Sequence, residues 1–295
     1  MKMGKKFFPI IFLGLMLVLA ACGGNESESE QSTEDKGEIN IGLNNWAENV
    51  AVSNMWKVVL EEEGYTVHLT QVEKGALYTA LENDDLDLGL EVWLPYTDEV
   101  FYEQYKEDLA WHKTWFSGTE LGLAVPTYME NIETMEDLKA NADQFDGKIV
   151  GIDAGASLMG LTEEAIGEYG LDGYELQSSS GPVMTAELGK AMEDEAPILV
   201  TLWKPHWVFA EYDVKFLEDT KKVYGEKEDI SWVSRQSFEE DHPELTETLN
   251  SWQMDDESLG SLMNMIKEEE DAEAGAKKWV EENRALIDEW IKPLQ

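Results

Sequence analysis

The sequence predicts an α/β protein built as two similar α/β units facing a cleft. Three observations predict it. Strand and helix signals alternate along most of the chain, the pattern of mostly parallel sheets joined by crossovers. With 295 residues, the chain is long enough for two units that each have a core. Three apolar runs in separate parts of the chain also deliver a tryptophan where a strand gives way to a loop: Ile39–Trp46 (INIGLNNW), Leu86–Tyr96 (LDLGLEVWLPY) and Ile198–Phe209 (ILVTLWKPHWVF).

In chain order, Lys2, Lys5 and Lys6 precede the apolar run Phe7–Leu19, which is too short for a comfortable membrane span. Leu19-Ala20-Ala21-Cys22-Gly23 then resembles a bacterial lipobox. That resemblance implies a signal peptide over 1–21, cleavage before Cys22 and acylation of its thiol. Residues 22–37 are polar and of low complexity, and read as a disordered tether.

From Ile39–Leu43 the signals alternate. Helical spacing covers Val50–Glu63 and stops at Gly64; Tyr65–Val72 alternates as a strand; Lys74–Glu82 is a short helix. Asp87–Trp93 reads as a strand, Asp98–Glu107 as a helix and Thr119–Val125 as a strand. A second set follows: helix Met135–Ala142, strand Lys148–Ile152, a glycine-rich turn into helix Leu161–Tyr169, strand Leu176–Ser178, helix Pro182–Asp194 and strand Pro197–Leu202. After Val214–Leu217 and a return strand at Ile230–Ser234, amphipathic helices at Glu244–Trp252, Leu259–Glu269 and Ala272–Trp290 close the first unit. This order places lobe 1 at 38–125 and 222–295, and lobe 2 at 126–221.

Composition narrows the function. A formal net charge of −40 repels nucleic acid and anionic membranes. Cys22 is the single cysteine, so no disulfide, thiolate zinc site or cysteine nucleophile is available to the folded domain. His68, His112, His206 and His242 show no metal-ligand spacing. The sequence therefore calls for no metal and no cofactor.

Two motifs carry chemistry. Three tryptophans, Trp46, Trp93 and Trp203, delivered to the carboxyl ends of strands suggest an aromatic box, which suits a cation without hydrogen-bond donors. For any one of them alone, core packing is the stronger reading. Their recurrence favours the box. Gly151–Gly160 (GIDAGASLMG) follows a strand and opens a helix. Gly155 would allow the turn, Ser157 would cap, and the amides of Ser157 and Leu158 would hold an anion. No Walker A Gly-Lys-Ser/Thr follows, and Met159 breaks a nucleophile elbow. Box and amides together describe a ligand with a quaternary ammonium at one end and a carboxylate at the other.

These pieces resemble the substrate-binding lipoproteins of glycine betaine ABC importers, the OpuAC/ProX-like family. The resemblance spans Glu38 to Trp290. It is carried by the first strand with Trp46, Tyr65–Leu81 (YTVHLTQVEKGALYTAL), Val92–Thr97 (VWLPYT), GIDAGASLMG and Leu202–Trp207 (LWKPHW). It implies a two-lobed periplasmic-binding-protein fold of type II with ligand in the cleft between lobes. Trp46, Trp93 and Trp203 would surround the trimethylammonium group, and the Ser157 and Leu158 amides would bind the carboxylate. The expected protein is a monomeric, non-enzymatic receptor on the outer face of the cytoplasmic membrane. It would pass glycine betaine or a related quaternary-ammonium osmoprotectant, or alternatively choline or carnitine, to a permease with ATPase subunits.

One residue departs from the family pattern. Relatives can carry a histidine after WLPxT that helps hold the carboxylate, and here the position is Asp98. An acid there repels a carboxylate unless it points away or pairs with a base, and it makes a choline-like ligand or a bulkier betaine more credible. Lys204 and His206, close to Trp203 in sequence, are the candidates to compensate; an exposed lysine and a structural histidine are the plainer readings of each. Tyr96 reads as an exposed loop residue. The rival function is an extracytoplasmic hydrolase with Ser157 as nucleophile and His206 as base.

Overall fold

The computed structural model describes residues 35–295. The predicted signal peptide, Cys22 and most of the predicted tether lie outside the described residues. Among the described residues no helix is long and apolar enough to cross a membrane.

The chain begins with β1 (Glu38–Leu43), α1 (Ala47–Glu62), β2 (Thr66–Gln71), α2 (Lys74–Glu82), β3 (Leu88–Leu94), α3 (Glu99–Tyr105) and β4 (Leu109–Ser117). It continues through β5 (Glu120–Pro126), two short 3-10 turns, β6 (Lys148–Val150), α4 (Ser157–Tyr169), β7 (Glu175–Gln177), α5 (Gly181–Asp194), β8 (Val200–Lys204), α6 (Val208–Glu211) and β9 (Val214–Phe216). It ends with β10 (Asp229–Arg235), α7 (Phe238–Asp241), α8 (Pro243–Ser251), α9 (Asp256–Glu269), α10 (Ala272–Glu282) and α11 (Arg284–Trp290).

Two five-stranded sheets define two lobes, ordered β2-β1-β3-β10-β4 and β7-β6-β8-β5-β9. In each, three strands pair in parallel and the fourth position is an antiparallel strand, β10 or β5. Those two strands stand where the chain passes between the sheets. Glu228, just before β10, accepts through its carbonyl from Gly118 N (3.1 Å), Thr119 N (3.0 Å) and the Thr119 hydroxyl (2.9 Å), tying the two crossings together.

The structure departs from the sequence expectations at identifiable places. β4 was not expected: LAWHKTWFS has no clean alternation, and it is a strand because it pairs along β10. β5, placed by sequence order in lobe 1, belongs to the second sheet through pairing with β8 and β9, so the chain leaves the first sheet before residue 120 rather than at 125/126. Alternation marks a strand but not its sheet. Met135–Ala140 is a 3-10 turn with a Thr134 capping box, not an α-helix. The last helix is broken at Asn283 into α10 and α11.

The core of the first lobe is rich in indoles. Trp252 stacks on Trp115 at 4.5 Å between ring centroids and meets Trp56 edge-on at 5.5 Å, while Trp290 closes on Trp56 at 6.3 Å and Trp279 at 6.5 Å.

Candidate functional site

Trp46 follows β1 and precedes the first turn of α1; Trp93 lies near the end of β3; Trp203 lies near the end of β8. β1 and β3 are central strands of the first sheet and β8 of the second. All three rings are 8 % exposed or less. They line one cavity together with Ser157 and Leu158. The five residues singled out by sequence therefore meet in one place, at strand ends, where open α/β sheets carry ligands.

Each of the three indole N–H groups meets a carboxylate. Trp46 Nε1 donates to Asp153 Oδ1 at 2.9 Å, Trp203 Nε1 to Glu48 Oε2 at 2.8 Å, and Trp93 Nε1 to Glu91 Oε1. The first two bonds cross from one lobe to the other. An indole N–H only donates, so an acceptor in this position fixes the ring's plane. Glu91 and Trp93 sit two apart in β3 and so share a face of the strand.

Glu48 and Glu91 are both fully buried. Burial, above all, raises the Glu48 carboxyl to about pH 7. Burial and then the neighbouring Glu48 charge push Glu91 well above the usual carboxylate range, against the opposing pull of Lys74. One carboxyl oxygen of each, Glu48 Oε1 and Glu91 Oε2, meets no donor among the described residues.

Asp98 is compensated. Its Oδ2 pairs with Lys74 Nζ at 2.7 Å and accepts from Trp93 N at 2.8 Å; its Oδ1 accepts from the Ser157 hydroxyl at 3.0 Å. Both members of the ion pair are 1 % exposed. Lys74 also donates to the Glu91 carbonyl and stands 5.3 Å from the Trp46 ring centroid. Sequence reading missed Lys74, Glu48 and Glu91. The signals existed: a lysine opens α2, where the helix dipole disfavours it, and an acid interrupts the apolar run of β3.

The glycine turn differs in detail from its expectation. Ser157 is the first residue of α4, not its cap; Ala156 holds the cap position without a side-chain bond. The Ser157 and Leu158 amides, at the first two helical positions, have no acceptor within the helix. The glycine that the packing demands is Gly151: a Cβ there would lie 2.5 Å from Met159 Sδ and 3.0 Å from the Gln177 carbonyl oxygen. Gly155 has ordinary backbone angles, and a Cβ would meet only the Glu73 carboxylate at 3.3 Å.

The remaining candidates fall outside this arrangement. His206 is buried, its Nδ1 accepts from Val208 N at 3.1 Å, and burial lowers it to about pH 3. Its ring packs edge-on to Trp203 at 4.7 Å. The Ser157 hydroxyl is bonded to Asp98, so no serine–histidine hydrogen bond forms. Lys204 is exposed over Phe209, and Tyr96 is 44 % exposed. Among the described residues no group of three or more potential ligands is placed to hold a metal.

With this geometry in place, the chain can be set beside known proteins. Residues 37–282 match the OpuAC family, the substrate binding domain of the ABC-type glycine betaine transport system. The chain belongs to this family. It is a family of transport binding proteins, not of enzymes, which removes the hydrolase reading. The glycine betaine/carnitine transport binding protein GbuC of Listeria monocytogenes is 41 % identical over 155 residues, which cover 52 % of each chain. The match thus spans about half the length of that relative. Among solved structures, the glycine/betaine/L-proline-binding protein ProX from Borrelia burgdorferi is similar with a TM-score of 0.82 and 32 % identity, over 88 % of this chain and all of that one. Lactococcal OpuAC, closed and complexed with glycine betaine, is similar with a TM-score of 0.81 and 28 % identity, over 87 % of this chain and all of that one.

Proposed function

We propose that the protein is the extracytoplasmic receptor of an ABC importer and captures glycine betaine or a close relative between its lobes. The observation that carries the reading is the box: three tryptophans from three separate strands wall one cavity, each anchored through its indole N–H. A trimethylammonium group has no donors to satisfy and is attracted to ring faces, each desolvated contact contributing about 1–2 kcal/mol. The ligand carboxylate takes the Ser157 and Leu158 amides at the α4 N-terminus. Asp98 does not bar it, since Lys74 matches its charge. Capture closes the lobes, and the loaded monomer docks on a permease served by ATPase subunits. Cys22, acylated, holds the protein on the outer face of the cytoplasmic membrane.

The test is a titration of the purified protein with glycine betaine and with choline, followed by tryptophan fluorescence. Saturable response to glycine betaine supports the reading; response to choline alone removes the carboxylate half; silence with both rejects it. Ser157→Ala keeps most of the affinity if backbone amides bind the carboxylate.

A further inference from the structure

The acids beneath the box form one unit. Glu48 from α1 and Glu91 from β3 are both without solvent access, and each anchors a different box ring: Glu48 holds Trp203 across the lobes, Glu91 holds Trp93 within its own strand. Each has spent one oxygen on its indole. The other oxygens, Glu48 Oε1 and Glu91 Oε2, have no donor among the described residues. The two side chains are within hydrogen-bonding reach of each other, and two buried carboxylates so placed cannot both stay ionised; one proton between them satisfies both orphaned oxygens. Nearby charge does not replace that proton. Lys74 reaches the backbone carbonyl of Glu91, and its ion pair is with Asp98. Asp153 serves Trp46.

We propose that Glu48 and Glu91 share one proton and act as a single positioning device, aiming Trp203 and Trp93 so that the box assembles only when the lobes meet. The inference rests on the proposed binding of a quaternary ammonium in the box. It gives the pair a second consequence: one net negative charge remains beneath the rings, the sign that a cationic headgroup prefers. Glu48 lines the cavity while Glu91 lies behind it, and the positioning role of both runs through the indoles.

Glutamine and leucine separate positioning from filling. Glutamine can accept from the indole and donate to the partner acid, reproducing the protonated half of the pair. Leucine fills the space with no acceptor. Glycine betaine titrations of wild type, Glu48→Gln, Glu48→Leu, Glu91→Gln and Glu91→Leu, each checked for folding by circular dichroism, are expected to show at least a tenfold loss for the leucine variants and recovery of most of it by glutamine. If wild type binds and the leucine variants bind equally well, the positioning role is wrong; if wild type does not bind, it is the proposed function that fails. Infrared spectra at neutral pH read the proton directly and need no ligand. A protonated carboxyl band in wild type, lost in the Glu48→Gln/Glu91→Gln double variant, is the expected result. Its absence from wild type, or its persistence in the double variant, overturns the shared proton.

Discussion

Two sets of tryptophans divide this molecule, and their indole N–H groups tell them apart. In the first-lobe core, Trp56, Trp252 and Trp279 are fully buried and their Nε1 atoms meet no acceptor among the described residues; Trp115 donates to the Leu90 carbonyl. At the cavity, Trp46, Trp93 and Trp203 are almost as buried, yet each donates to a carboxylate. Burial alone does not separate the sets. A core ring gains enough from apolar contact to tolerate a poorly satisfied N–H, and its orientation follows from close packing. A ring beside a cavity has nothing packed on one face, so something must hold its plane, and a carboxyl oxygen that accepts from the indole N–H does so.

The sharpest ways to break this comparison start with the groups whose loss costs most. Lys74→Met strands Asp98 as a buried charge. Removing one partner of such a pair typically costs about 3–5 kcal/mol, or roughly 10 °C in Tm by calorimetry, with much of it recovered in Lys74→Met/Asp98→Leu. Trp252→Ala removes a ring stacked on Trp115 and is expected to cost a similar 3–5 kcal/mol in urea unfolding, with ligand affinity of the folded protein unchanged. Trp203→Leu should show the opposite pattern. Affinity for glycine betaine falls about tenfold or more in calorimetric titration, while Tm moves much less, because apolar filling is kept and ring attraction is lost. Equal effects of Trp252→Ala and Trp203→Leu on both readouts would erase the distinction between core and box.

The acid pair adds a pH signature. Glu48 is raised from 4.5 to about 7 in the fold. Below pH 4.5 folded and unfolded chains both hold the proton; between 4.5 and about 7 only the folded chain keeps it, so this group's contribution to stability falls as pH rises. Glu48→Gln has no such proton to lose, and its Tm relative to wild type is expected to climb across that window and level off above it. The smallest expected effect belongs to Asp153, which is half-buried and holds Trp46 by one cross-lobe bond of 2.9 Å. Asp153→Ala should weaken binding about threefold to tenfold with little change in Tm.

Much of the fold was legible because strand and helix periodicities are local. The alternating elements, the two α/β units and the three strand-end tryptophans were read from spacing alone. β4 was not, since a strand with mixed faces is recognised by its partner, here β10. The sheet to which β5 belongs was not legible either, because period 2 is the same in both sheets. At the cavity, Trp46, Trp93, Trp203, Ser157 and Leu158 stood out as residue types at strand and helix ends. The groups that hold them did not: Glu48 reaches Trp203 across 155 residues of sequence, and Lys74 answers Asp98 from the start of another helix.

By itself, then, the sequence determined what its short-range order encodes: the alternation of elements, the delivery of rings to strand ends, the glycine-rich approach to α4 and the strongly acidic balance. Tertiary structure alone decided which acid each ring meets, that Asp98 is neutralised rather than repulsive, and where the chain crosses between sheets. The reason is range. Periodicity and turn chemistry act within a few residues, whereas the charge of a buried group is settled by whatever the fold brings within about 3 Å of it.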